Sequence, residues 1–299
     1  MWLRRISLFL ALNFLVMLTI GFLLWIFGAQ AWLTPRGLDI QQLMIWSMAW
    51  GMGGSLLSLA LSRVMAKWTM GVRVIDRNAA TGEQRTLLEV VDELYQKAGL
   101  TGVPEVGIYH SPEPNAFATG PSQHRALVAV SSGLLQRMTS TEVRGVLGHE
   151  VSHIANGDMI TMTLLQGVVN AFVLFLSRAL AYVLMMAFRR DEKGSPGWLF
   201  GLTSMALQFI LMALGSLLIA AYSRWREFRA DRGGARLAGR NAMILALQAL
   251  EKTLDIRDPA HDQPVVAAFK ISGSGLMNLW SSHPPLPDRI ARLRELPES

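Results

Sequence analysis

Four long apolar runs limit what this chain can fold into more than any other feature. Ile6–Gly28, Leu43–Ser62 and Trp198–Tyr222 carry no charge, and Ile160–Phe188 carries only Arg178, alongside the amides Gln166 and Asn170. About 20 apolar residues suffice for a helix to cross the hydrocarbon core. Within lipid every backbone group must be satisfied internally, so each run that spans must do so as a helix. Arg178 costs about 2.5–3.5 kcal/mol on insertion scales, which protein neighbours and snorkelling lower.

The first run competes with a signal-peptide reading, because Ala29-Gln30-Ala31 follows it as a small-x-small site. Its apolar core exceeds the roughly 7–15 residues of a signal sequence, which favours an uncleaved anchor. Charged residues make up 17% of the 299 residues, against about 25% in soluble domains. The net charge of +6 comes from Lys and Arg gathered beside the apolar runs. They read as topology signals near anionic lipid rather than a nucleic-acid surface. No cysteine is present, which excludes disulfides, cysteine zinc sites and thiol catalysis.

Basic residues near the span ends divide unequally. Arg4, Arg5, Arg63, Lys67, Arg224, Arg226 and Arg229 fall on one side, and Arg36, Arg189, Arg190 and Lys193 on the other. The richer side is expected to be cytoplasmic, with both termini and the polar stretch from Lys67 to Asp158. In that stretch, the spacing of Leu87, Leu88, Val91, Leu94 and Tyr95 predicts an amphipathic helix. Glu105–Tyr109 and Ala126–Val130 predict short strands, and Ala242–Leu254 a helix near the end. The expected organisation is 1–66 as a first pair of membrane helices and 67–159 as the first catalytic part. Residues 160–222 form the second membrane pair, and 223–299 complete the catalytic part.

His149-Glu150-Val151-Ser152-His153 is an H-E-x-x-H motif. On a helix, residues four apart share a face, so both imidazoles can reach one metal ion, while Glu150 sits beside a metal-bound water. Zinc lowers the pKa of such water toward about 7. Glu150 can then take the proton as the water attacks a peptide carbonyl and pass it to the leaving amine. Thr139-Ser140-Thr141-Glu142 offers an N-cap, and Val143, Val146 and Leu147 an apolar face, so a helix is expected. Chance alone also produces H-E-x-x-H, and an inert coincidence is the bland alternative.

Catalytic zinc usually takes three protein ligands. Metzincin spacing would put another histidine six residues after His153, where the chain has Met159. Glu227 is the better third ligand. Asp231, four residues on, can accept the second ring N–H of a ligating histidine. The alternative for this pair is an ordinary solvated helix with Arg–acid pairs. If Glu227 ligates, the chain from His153 to Glu227 must cross the membrane an even number of times. Glu227 would lie roughly 8 Å beyond the fourth run at the helical rise, at the membrane surface rather than inside it.

Taken together, His149–Asp158, Glu227–Asp231, Asn115–Gly120, Ser282-His283-Pro284-Pro285 and Asp288-Arg289-Ile290 resemble the HtpX membrane proteases, relatives of the CAAX prenyl proteases. The resemblance covers essentially the whole chain, including the placement of the apolar runs. It implies a mostly α integral membrane protein with four transmembrane helices and a small α+β zincin-like catalytic domain. It further implies a zinc endopeptidase of the bacterial inner membrane, facing the cytoplasm, with one zinc ion per chain. Its partners would be the lipid bilayer and misfolded, damaged or unfolded polypeptides, with no nucleic acid. His149, His153 and Glu227 would be ligands, Glu150 the base, and Asp231 the support of a ligand histidine. His283 would assist at the developing oxyanion. Asn115 would bind substrate at an edge strand, whose plain alternative is an ordinary hairpin edge. Asn156-Gly157-Asp158 is expected to end the motif helix. His110, His124 and His261 lack partners at ligand spacing and read as surface residues. Two rivals stay open: a processing protease with one narrow substrate, and a zinc-bearing scaffold that would have no use for Glu150.

Overall fold

The computed structural model describes residues 33–34, 37–187, 197–253, 281 and 283–296. The first apolar run and His261 lie outside them. The described residues of the other three runs lie in helices α1 (Ile40–Met70), α5 (Asp158–Ala187) and α6 (Gly197–Ala238), each long and apolar enough to cross a membrane. Described residues fall into two compact units, divided at Leu57/Ser58, Met162/Thr163 and Leu218/Ile219.

In the first unit α1 packs on α5 through small residues, as membrane helices do when no hydrophobic drive separates protein from lipid. A Cβ on Gly51 would land 2.3 Å from the Ala171 backbone nitrogen, so only glycine permits this approach. The polar residues of the third run turn toward protein. Gln166 donates to Asn170 at 2.9 Å, and Arg178 donates to its own helix at the Leu174 carbonyl, 3.0 Å away. By contrast Leu202, Phe209, Ile210, Leu214 and Leu218 of α6 are exposed. Such a contiguous apolar surface suits contact with lipid chains.

The second unit holds a four-stranded sheet of order β3-β4-β6-β5. Its strands are β3 (Arg73–Val74), β4 (Glu105–Tyr109), β5 (Ala116–Thr119) and β6 (Leu127–Ser131). A two-residue pair, β1 (Leu33–Thr34) with β2 (Gly37–Leu38), precedes α1. β6 is buried along its whole length, parallel to β4 and antiparallel to β5. That burial explains its continuous apolar run in place of an alternating one. The predicted amphipathic helix is α2 (Glu83–Lys97), and all five of its expected apolar positions are buried. They pack with Val106, Val128 and Val130 of the sheet and with Leu147, Val151 and Ile154.

Those last three belong to α4 (Ser140–Ala155), which follows the short α3 (Ser132–Arg137). Thr139 and Glu142 form a reciprocal capping box at its start, satisfying two otherwise orphaned donors. Gly157, with φ 67, ends the helix in the left-handed conformation. Among the described residues the unit also holds α7 (Arg240–Thr253) and α8 (Leu286–Arg294). α8 docks Ile290 and Leu293 on Met243 and Leu247 of α7 and on Ala235 of α6.

Candidate metal centre

α4 presents His149 and His153 one turn apart, and α6 brings Glu227 against them. The His149 Nε2 and His153 Nε2 atoms lie 3.1 Å apart. Glu227 meets them with its two carboxylate oxygens, Oε2 at 3.4 Å from His149 and Oε1 at 3.3 Å from His153. One ligand atom from each residue falls within 4.8 Å of the others, a spacing able to hold a metal ion. Glu227 is only 1% exposed although it is a carboxylate, and such burial requires charged partners.

The outer ring nitrogens are engaged as well. His149 Nδ1 lies 2.9 Å from Asp231 Oδ1, and His153 Nδ1 lies 2.7 Å from Asp158 Oδ2. If both Nδ1 atoms donate to carboxylates, both Nε2 atoms offer lone pairs. Two lone pairs and a carboxylate then converge, and that arrangement favours a cation among them. Proton affinities express the same demand. Burial disfavours a charged His149, but hydrogen bonds to Asp231 and Glu227 outweigh it and raise its pKa to about 9. For Glu227 burial opposes the charge, while hydrogen bonds from His149, His153 and His283 hold the carboxyl well below its usual range. Asp231 is likewise lowered, burial being overcome by hydrogen bonds from Arg289 and His149.

Close approach of the helices makes this geometry reachable. A Cβ on Gly148 would meet the Ala238 Cβ at 2.8 Å and the Gly234 carbonyl at 3.2 Å. A Cβ on Gly145 would meet the Ala242 carbonyl at 2.3 Å, so α7 also presses on α4. Glycines on both sides of the seam therefore let α6 deliver Glu227 to the two histidines.

The sequence-predicted residues are distributed as follows. His149, His153, Glu227 and Asp231 are brought together, and His283 joins them with Nδ1 2.9 Å from Glu227 Oε2. Its side chain is exposed, on the turn that Arg224 ties to α6 through the Ser281 carbonyl. Glu150 follows His149 on α4 and is partly buried. Asn115 directly precedes β5, and α4 packs on that strand. Its backbone is tied to Ser131, the N–H donating to the Ser131 hydroxyl and the carbonyl accepting from the Ser131 N–H. Among the described residues β5 is an edge strand with no neighbour beyond it. His124 contacts the Thr101 carbonyl and His110 lies near the Ser132 hydroxyl, neither within the metal-capable group.

Two participants escaped sequence reasoning. Asp158 is five residues after His153, a spacing that points to a different face on a straight helix. The break at Gly157 redirects it. Arg289 donates to Asp231 at 2.7 and 2.6 Å and stands 3.6 Å from Glu227. Its only signal was its place in the Asp288-Arg289-Ile290 motif.

Comparison with known proteins accords with this geometry. The model of peptidase family M48 matches residues 81–297. A protease HtpX homologue of Bacillus velezensis is 49% identical over 296 residues, covering 97% of this chain and 98% of its own. Homologues from Thiobacillus denitrificans and Bacillus subtilis are 46% and 48% identical, each also over 97% of this chain. They are covered over 99% and 98% of their own lengths. The crystal structure of S. mikatae Ste24p shares the fold, with a TM-score of 0.55 at 17% identity over 90% of this chain and 66% of that one. With three membrane-capable helices and a cluster of metal-binding geometry, the chain belongs to peptidase family M48, as a multi-pass membrane metalloprotease of the HtpX group.

Proposed function

We propose that the chain is a zinc endopeptidase of the bacterial inner membrane whose catalytic part faces the cytoplasm and cleaves damaged or misfolded membrane proteins. The observation that carries this reading is the convergence of two imidazole Nε2 atoms on the buried Glu227 carboxylate, with Glu150 next to His149. A set of two nitrogens and one carboxylate oxygen matches the ligand types of catalytic zinc, which leaves a further position open. Zinc held by His149, His153 and Glu227 would supply a Lewis acid that polarises the scissile carbonyl and acidifies water.

The protein's own groups do the rest. Glu150 takes a proton from the attacking water and returns it to the leaving amine. His283, on the exposed side of Glu227, donates toward the oxyanion as it forms. Asp231 fixes the ring of His149. β5 offers an open edge on which an extended substrate can pair, with Asn115 at its start. Pairing through main-chain groups reads little side-chain sequence, which suits a protease that removes many damaged chains. The resemblance to HtpX supports the same substrate class, and the uneven distribution of basic residues supports the cytoplasmic orientation.

The test uses full-length chain in detergent, freed of metal, with an unfolded reporter protein. Cleavage should appear on adding Zn²⁺ and be absent in Glu150→Gln. Zinc binding without cleavage of any unfolded reporter would refute the broad-substrate reading and favour a narrow processing role.

A further inference from the structure

Each metal-facing imidazole of the cluster leans on a buried carboxylate, and each carboxylate is gripped by an arginine. His149 leans on Asp231, held by Arg289. His153 leans on Asp158, held by Arg229. We propose that Asp158 and Arg229 are positioning residues for His153, which hold its ring so that Nε2 faces the metal. The proposal rests on the metal-centre reading above.

Asp158 is fully buried, and a carboxylate there needs compensation on both oxygens. It has it. Oδ2 lies 2.7 Å from His153 Nδ1, and Oδ1 accepts from Arg229 Nη2. A neutral imidazole carries one ring proton. A carboxylate opposite Nδ1 draws the proton to that nitrogen and leaves the Nε2 lone pair pointing at Glu227 and His149. The arginine removes the alternative in which Asp158 rotates away.

Arg229 lies two residues beyond Glu227 on α6. One helix thus supplies both the carboxylate in front of His153 and the anchor behind it. A shift of α6 relative to α4 would move both together. The Arg229 guanidinium rests 4.9 Å from the Trp225 ring centroid, which orients the flat fork toward Asp158. Its Nε is buried without a hydrogen-bond partner among the described residues, a cost that the contact with Asp158 offsets.

A merely structural role is the competing account, because Asp158 also lies in the first turn of α5, where a negative charge favours the helix dipole. The two accounts differ in what a substitution moves. With Asn at 158, an amide faces both a ring N–H and a guanidinium and can accept from only one of them. Turning its NH₂ toward His153 would push the ring proton onto Nε2, where it blocks the metal.

The experiment measures zinc affinity by chelator competition on the full chain in detergent, in a Glu150→Gln background that cannot digest itself. Asp158→Asn and Arg229→Gln should each weaken zinc binding roughly 10–100-fold, with Arg229→Lys between them and the parent. The cobalt-substituted absorption spectrum should change in the same order. The metal-free melting temperature of Arg229→Gln should fall as well, because buried Asp158 loses the charge opposite it, whereas Arg229→Lys should keep the parent value while still binding zinc more weakly. Unchanged affinity, or a lower melting temperature with no loss of affinity, would overturn the proposal. If Asp158→Asn does not fold, Arg229→Lys decides, since the Arg229 side chain is about one third exposed. Failure of the parent itself to bind zinc would overturn the centre and this proposal together, whereas a binding parent with unaffected variants overturns this proposal alone.

Discussion

Gly148 lies against Gly234 where α4 meets α6, with room for no side chain: a Cβ on Gly234 would come within 3.0 Å of the His149 nitrogen. Alanine is favoured over glycine inside a helix by about 1 kcal/mol, so local propensity alone predicts that Gly148→Ala stabilises. The tertiary contact reverses the sign, because the added methyl meets Ala238 and the Gly234 backbone rather than a flexible chain end. Overpacking of this kind costs about 1–3 kcal/mol. Gly148→Ala is therefore expected to lower the melting temperature and to reduce kcat more than KM. Gly145→Ala, whose methyl would meet a backbone carbonyl at 2.3 Å, should be worse. A thermal melt and steady-state kinetics on both variants check this.

Glu150→Gln keeps the shape of the side chain and removes its ability to accept a proton. Loss of a general base of this kind costs about 10²–10⁴ in rate. The variant should retain the metal content of the parent, measured by elemental analysis, while cleavage of the unfolded reporter falls by that factor.

Removing the metal should destabilise the catalytic unit. Ligand binding to the folded state alone adds about 2.7 kcal/mol at 100 times Kd. A chelator should lower the melting temperature of the parent and leave that of Glu227→Ala nearly unchanged. Equal shifts in the two proteins would count against Glu227 as a ligand.

Acid should loosen the packing of α2 on α4. Arg144 of α4 donates to Glu93 of α2 at 2.8 and 2.5 Å. That contact, with help from Lys97, lowers the Glu93 pKa to about 2. A carboxyl lowered on folding stabilises fully above its ordinary value of 4.5 and loses that contribution as pH falls toward 2. Glu93→Gln should flatten the loss of stability in that window and have little further effect below it. Melting temperatures taken from neutral pH down to 3 test this, and because the pair is half exposed the effect should be small and weakened by salt.

Much of the local structure was legible in the sequence. The α2 face, the capping box at Thr139 and the strands at Glu105 and Leu127 all follow from periodicity and end signals within a few residues. Boundaries slipped where tertiary contacts took over. Helix α1 continues past the second apolar run to Met70, because Arg63 and Lys67 pair with Glu105 instead of turning to solvent. Strand β3, two residues long, has no periodicity to read and exists only because β4 pairs with it.

Read alone, the sequence already dictated helices for the runs beginning at Leu43, Ile160 and Trp198, since the length of an apolar run and the cost of unpaired backbone in lipid leave no other solution. It also determined that His149 and His153 share a face, since a spacing of four on a capped helix permits little else. What surrounds them came from long-range packing. Arg229 reaches Asp158 across 71 residues and Arg289 approaches His149 across 140. No helical period relates positions so far apart. Their meeting depends on the glycine seam that lets α4, α6 and α7 close together, and on the turn at Gly157 that carries Asp158 back to His153.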